Sequence, residues 1–203
     1  MLLRSSLERF PLRSTIAAVA LLLGLSGVAQ PGTFIIWVND EVVGEVTVNR
    51  TTIGPRTIYS MNSLSEVDVI WTQVVRTMMR TEYAGEQLTA CHSSVRVNDS
   101  VRDSSSLRTH LGRVQGFVHP REQVVVPCTN RWSTARMYYE EPIGQRSIYV
   151  ESVLRDCPLV PLGGGRYRLT LPNDKVNDYV YRQGVLQEIH VDRPFFDLIF
   201  KRL

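Results

Sequence analysis

The sequence predicts an all-β, single-domain antiparallel fold, and three observations predict it. Polar and apolar residues alternate at period two over much of the chain, as in Arg166-Tyr167-Arg168-Leu169-Thr170-Leu171. That is the spacing of a strand with one wet and one buried face. Turn-forming pairs punctuate these runs: Asn39-Asp40, Gly54-Pro55, Asn98-Asp99 and Gln183-Gly184. No heptad, Gly-rich phosphate loop or long amphipathic helix interrupts the pattern.

Residues 1–29 read as a signal peptide rather than as part of the fold. Arg4, Arg9 and Arg13 form a basic n-region, and Ile16 to Val28 an apolar h-region. The apolar run is shorter than the ~20 residues that span a bilayer, which disfavours an uncleaved anchor. Gly27-Val28-Ala29 places small residues for cleavage, with Gln30 as the expected new N-terminus. The expected location is periplasmic or secreted, with residues 30–203 as one domain that does not span a membrane. The full chain carries a net charge of +3, of which the leader contributes +2. A mature chain near neutrality without a dense basic stripe argues against nucleic-acid binding.

The body reads as successive hairpins. Phe34 to Val38 and Val42 to Val48 form the first around Asn39-Asp40, Arg56 to Met61 is a short strand, and Asn62-Ser63 turns again. Glu66 to Tyr83 keeps Val67, Val69, Trp71, Val75, Met79 and Tyr83 on one face, so it reads as one long strand that must bend or coil. Gln87 to Asn98, Val101 to Leu111 and Val114 to Val118 continue a meander, and Val124 to Val126 is a further short apolar run. One helical turn fits between Val150 and Asp156. The stretch from Ser147 to Leu203 closes the chain with hairpins around Pro172-Asn173-Asp174 and Gln183-Gly184, ending in Phe196, Leu198 and Phe200.

Chemistry-bearing residues are sparse. His92, His110, His119 and His190 fall on different predicted elements with no short ligand spacing, so no metal site is expected. No Gly-x-Ser-x-Gly elbow marks a hydrolase, and Ser104 to Ser106 beside Asp103 reads as a polar loop. Glu140-Glu141 suggests paired carboxylates, but neighbours on a strand point to opposite faces. An ion pair with Arg136 or Arg146 is the simpler role. Cys91, Cys128 and Cys157 are compatible with one disulfide in an oxidising compartment or with three unpaired thiols. No catalytic residue, metal or cofactor is assigned.

Met137-Tyr138-Tyr139-Glu140-Glu141-Pro142, Tyr149-Val150-Glu151 and Gly165-Arg166-Tyr167-Arg168-Leu169, then Leu171-Pro172-Asn173-Asp174, Asn177, Tyr179, Tyr181, Gly184, Glu188, Val191, Phe196 and Phe200, follow one another in a familiar order. This resembles a family of small exported bacterial β-proteins of unknown function, whose pattern carries glycine where this chain has Asp174. The resemblance implies an open, strongly curved sheet, similar to the unclosed barrels of periplasmic lipoprotein carriers. The expected architecture is thus a half-barrel of about ten strands.

In an unclosed barrel the inward aromatics either pack as core or line a concave apolar cavity. Nothing in the sequence marks a helix to plug that space, and something must fill it. The first functional expectation is therefore non-enzymatic binding of an apolar, lipid-like ligand, with Trp71, Tyr83, Tyr138 and Tyr167 as lining residues. The alternative is an envelope interaction module with a packed interior, using sheet edges or the Glu140–Gly144 corner. An envelope hydrolase ranks third.

Overall fold

Alternation and turn chemistry together build one antiparallel sheet of fourteen strands. The computed structural model describes residues 28–68, 71–110, 113–118, 122–124, 132–172, 174–193 and 196–203. The first arm holds β1 (Val28–Val38), β2 (Glu41–Ile53), β3 (Arg56–Asp68), β4 (Thr72–Ala84), β5 (Gln87–Val97), β6 (Ser100–His110), β7 (Arg113–Val118) and β8 (Glu122–Val124). One helical turn, α1 (Thr134–Met137), follows. The second arm holds β9 (Ser147–Val150), β10 (Arg155–Gly163), β11 (Arg166–Thr170), β12 (Val176–Arg182), β13 (Val185–Arg193) and β14 (Phe196–Arg202).

Every strand pairs with its sequence neighbour, except that β1 also pairs with β14 and that β8 and β9 are the two free ends of the sheet. Phe34 faces Arg202 and Ile36 faces Phe200 where the two arms meet. The sheet does not close into a barrel. The connection between the ends runs from β8 to β9, and its residues 132–146 lie along the concave interior.

The turn pairs behave as their chemistry requires. Asn39 and Asp40 sit at φ 47° and 66°, and Asn98 and Asp99 at 48° and 65°. Two successive left-handed residues make the tight hairpin turn whose twist matches the strands. Asp174 has φ 59°, the conformation for which the family pattern uses glycine and which aspartate tolerates.

Three expectations are corrected. Among the described residues there are fourteen strands rather than about ten. Glu66 to Tyr83 is not one strand: β3 ends at Asp68, which pairs with Thr72 at the start of β4. The Thr72 hydroxyl donates to Asp68 Oδ1 at 2.6 Å and fastens this turn. Val67 and Val75 face inward on either side, so the odd-numbered phase carries through the loop and hides it from a period-two pattern. Asn62-Ser63 does not turn. Both residues lie inside β3, paired with Thr47 and Val46, and neither adopts a left-handed φ. The turn expected between Val150 and Asp156 is present at 151–154.

β2 and β3 make one close approach. A Cβ on Gly44 would land on the Leu64 carbonyl oxygen and lie 2.7 Å from the Ser65 Cα. Only glycine lets β2 and β3 approach this closely. Gly44→Ala is expected to destabilise the fold by about 1–3 kcal/mol, read as a lower urea midpoint.

Candidate functional site

The concave face has two levels. On the lower level the inward residues of the first arm are large and covered: Tyr59, Met79, Tyr83, Cys91 and Leu107 are all at most 6% exposed. What covers them is the chain itself. Residues 132–146 lie in the space between the two arms and act as a plug, with Ala135 and Met137 of α1 buried. The sequence signals no such plug because four helical residues are too few to show a 3.6-residue period.

Tyrosines of the wall point their hydroxyls at this plug. Tyr83 donates to Ser133 Oγ at 2.8 Å, and Tyr181 to the Met137 carbonyl at 2.6 Å. Tyr167 donates to Glu141 Oε1 at 2.8 Å, and Tyr59 to Glu140 Oε1 at 3.3 Å. The plug answers with Tyr139, which donates to the Gln30 carbonyl at 2.9 Å. Tyr59, Tyr83, Tyr167 and Tyr181 therefore each place an apolar ring in the core and a satisfied polar tip on the plug, whereas the buried Tyr149 hydroxyl has no hydrogen-bond partner among the described residues.

The deepest polar group is Glu151, just beyond β9 and fully buried. Its Oε1 accepts the Thr81 hydroxyl and the Ala135 backbone N–H, each at 3.1 Å. Its Oε2 accepts the Thr134 hydroxyl. Its backbone carbonyl accepts the Ser105 hydroxyl at 2.5 Å. One residue thus joins β4, β6 and α1 to the end of β9. None of the ion pairs among the described residues involves Glu151.

Glu140 and Glu141 do diverge, though from a bend after α1 rather than from a strand. Arg136 pairs with Glu140 at 2.9 Å and with Glu86 at 2.7 Å. Its guanidinium lies 4.6 Å from the Trp132 ring centre. Arg50 meets Glu140 at 3.4 Å. Arg146 is not the partner in any ion pair described.

The four expected lining residues do not form one site. Tyr83, Tyr138 and Tyr167 lie in the core around the plug. Trp71 is 63% exposed, at the β3–β4 turn that the continuous-strand reading concealed. His92 lies on β5, while His190 is paired with Glu188 on β13 at 2.8 Å; His119 lies outside the described residues. Cys91 and Cys157 are buried free thiols, and Cys128 lies outside the described residues. No group of three or more potential metal-ligating side chains occurs among the described residues.

On the upper level the same strands carry small inward residues that the plug does not reach. Ser63 and Ser65 on β3, Val75 and Thr77 on β4, and Val95 and Val97 on β5 are half-buried. Their registers align them in two rows across the sheet, Val46–Ser63–Thr77–Val95 and Gly44–Ser65–Val75–Val97. The result is a trough beside the Asn39-Asp40, β3–β4 and Asn98-Asp99 turns.

A sequence profile described as a domain of unknown function, DUF6134, matches residues 34–203. The chain belongs to the DUF6134 family. The second arm, the plug, Glu151 and the first arm from Phe34 onward lie inside the matched region. Among solved structures, this DUF6134 chain is similar to a β-barrel-like protein of the domain of unknown function DUF1849 from Brucella abortus. The TM-score is 0.57 at 10% identity, over 88% of this chain and 97% of that chain. That likeness is one of fold. No curated protein matches.

Two predictions follow from the plug. Glu151→Ala strands the Ala135 N–H and two threonine hydroxyls, and is expected to cost about 3–5 kcal/mol in urea unfolding. Glu151→Gln, which keeps an acceptor oxygen, costs less. Secondly, all eight tyrosines titrate above their usual range. Burial first, then the Glu140 carboxylate, pushes Tyr59 up to about 12. Burial first, then the hydrogen bond to Glu141, pushes Tyr167 up to about 12. Burial raises Tyr83, Tyr138, Tyr149, Tyr179 and Tyr181 further. These groups keep their protons in the fold and lose them in the unfolded chain, so their contribution is whole below pH ~10 and is lost as pH rises. Each neutral phenol removes about 1.4 kcal/mol of stability per pH unit above ~10. Phenolate absorbance at 295 nm should therefore appear together with unfolding, and not as a gradual native titration.

Proposed function

We propose that this protein is a non-enzymatic, exported envelope protein that binds an apolar, lipid-like chain in the upper trough of its concave face. The observation that supports this reading is the change of side-chain size along β3, β4 and β5. Large residues meet the plug, whereas Ser63, Ser65, Val75, Thr77, Val95 and Val97 face inward and are only half-covered. Small side chains on an inward, half-buried face leave room for a slim apolar group, bounded by a rigid sheet. Tyr83 and Tyr167 then serve as the floor through the plug they hold, and Tyr138 as part of that plug. Trp71 stands at the trough's open end, where an amphipathic ring suits a boundary between water and an apolar ligand.

The apolar run at 16–28 and the small residues before Gln30 support export. Among the described residues, no helix is long and apolar enough to cross a membrane.

A second reading has its own support. The lower interior is already filled, and the Glu140–Gly144 corner presents Ile143 at 72% exposure next to the buried Pro142. Under that reading the corner holds a protein partner and the trough stays empty.

The test is native mass spectrometry of protein purified from the periplasm without detergent, followed by titration with a fluorescent fatty acid. The expected result is a stoichiometric acyl adduct on a chain starting at Gln30. Val75→Arg, which leaves the plug untouched, should abolish it. A clean apo mass together with no saturable uptake of the probe would reject the apolar-ligand reading and move the weight to the corner.

A further inference from the structure

The convex face carries an arrangement that folding does not require. Arg76 on β4 and Arg96 on β5 are direct cross-strand partners, and both side chains lie in the wall of one groove of about 370 Å³. Like charges directly opposite one another weaken an antiparallel pair. Arg80, two steps along the same face beyond Met78, is compensated by Glu82 at 3.1 Å. Arg76 is compensated by Asp99 at 2.7 Å. Arg96 is not: none of the hydrogen bonds or ion pairs among the described residues involves it. The sheet thus holds two cross-strand arginines of which only Arg76 has a carboxylate partner among the described residues.

The rest of the groove defines what would relieve that excess. Ser94 and Asn62 bring a hydroxyl and an amide to the same wall, and Leu64 and Met78 bring apolar surface, 50% and 42% exposed. Leu64 is the cross-strand partner of Arg76. Glu45 also lines the groove, but it lies beyond Leu64, one strand farther from the arginines. Paired guanidinium groups bind the planar edge of an oxyanion with several parallel N–H donors. We infer that the groove between Arg76 and Arg96 is a binding site for a phosphate-type oxyanion carried on an apolar group. The anion supplies the counter-charge that the cross-strand pair lacks, and Leu64 and Met78 take the apolar part. The Arg76, Arg96, Leu64 and Met78 side chains lie on the opposite face of the sheet from the concave trough, although Ser63 and Thr77 of the trough strands also border the groove.

The experiment measures thermal unfolding midpoints with three probes: inorganic phosphate, a short-chain alkyl phosphate, and vesicles of phosphatidylglycerol against phosphatidylcholine. Sodium chloride at matched ionic strength controls for screening. Inorganic phosphate is expected to raise the midpoint by a few degrees through linkage, and the alkyl phosphate to act at lower concentration. Arg96→Ser should raise the midpoint in phosphate-free buffer, by relieving the like-charge pair, and should abolish the rise with either anion. Arg96→Lys should retain part of it. Flotation with phosphatidylglycerol but not phosphatidylcholine vesicles would assign the anion to a lipid headgroup; response to the soluble phosphates alone would assign it to a free ligand. A wild-type midpoint that responds to phosphate no more than to chloride overturns the site, as does an unchanged response in Arg96→Ser. Val75→Arg, which addresses the trough, should leave these responses intact.

Discussion

The buried carboxylate of Glu151 is the interaction on which the rest depends. A single curved sheet has an inward apolar face and no second layer to cover it. In this protein residues 132–146, ahead of β9, lie in the interior, and Glu151 fixes them there. Its side chain takes Thr81 from the first arm and Thr134 and Ala135 from the plug, while its own backbone belongs to the second arm. A carboxylate taken out of water is costly unless its oxygens are satisfied. Here both oxygens are, and the donors come from the first arm and the plug while the acceptor comes from the second arm. Removing any one part leaves a buried polar group without a partner, which makes the arrangement cooperative.

The tyrosines extend the same logic outward. Their rings give the lower interior its apolar volume, including the edge-to-face pairs Tyr59–Tyr83 and Tyr167–Tyr181, with ring centres 5.6 Å and 5.7 Å apart. The hydroxyls of Tyr59, Tyr83, Tyr167 and Tyr181 meet the plug. The plug ends where the inward residues become small, and this division of the concave face leaves a trough above a solid floor. A fold that fills only half of its concavity can keep a rigid shape and still offer a binding surface. The convex arginine pair is proposed as a second one.

Much of the fold was legible in the sequence, because strands and tight turns are local. Period-two alternation marked the arms, and Asn39-Asp40, Asn98-Asp99 and Gln183-Gly184 marked hairpins through their tolerance of left-handed φ. Membership of a family of unknown function was legible from the order of residues after Met137. The break at Asp68–Thr72 was not, because the inward phase is unchanged across the loop, and Trp71 was misplaced with it. The plug was illegible for a different reason. Its helix is a single turn, and its anchors lie far apart in sequence: Thr81 and Glu151 are separated by 70 residues. The only local trace was an acidic residue set between apolar Val150 and Leu154. That the tyrosines face inward could be read from spacing, but what their hydroxyls meet could not.

The central claim is that the plug is a constitutive part of the core rather than a movable occupant of the half-barrel. Native-state hydrogen exchange at the Ala135 amide tests it most directly, since that N–H is buried and bonded to Glu151. The account predicts that it exchanges only with global unfolding, at the rate of the central amides of β4. Exchange orders of magnitude faster, while β4 stays protected, would mean that the plug leaves the interior of the intact sheet, and would contradict the account.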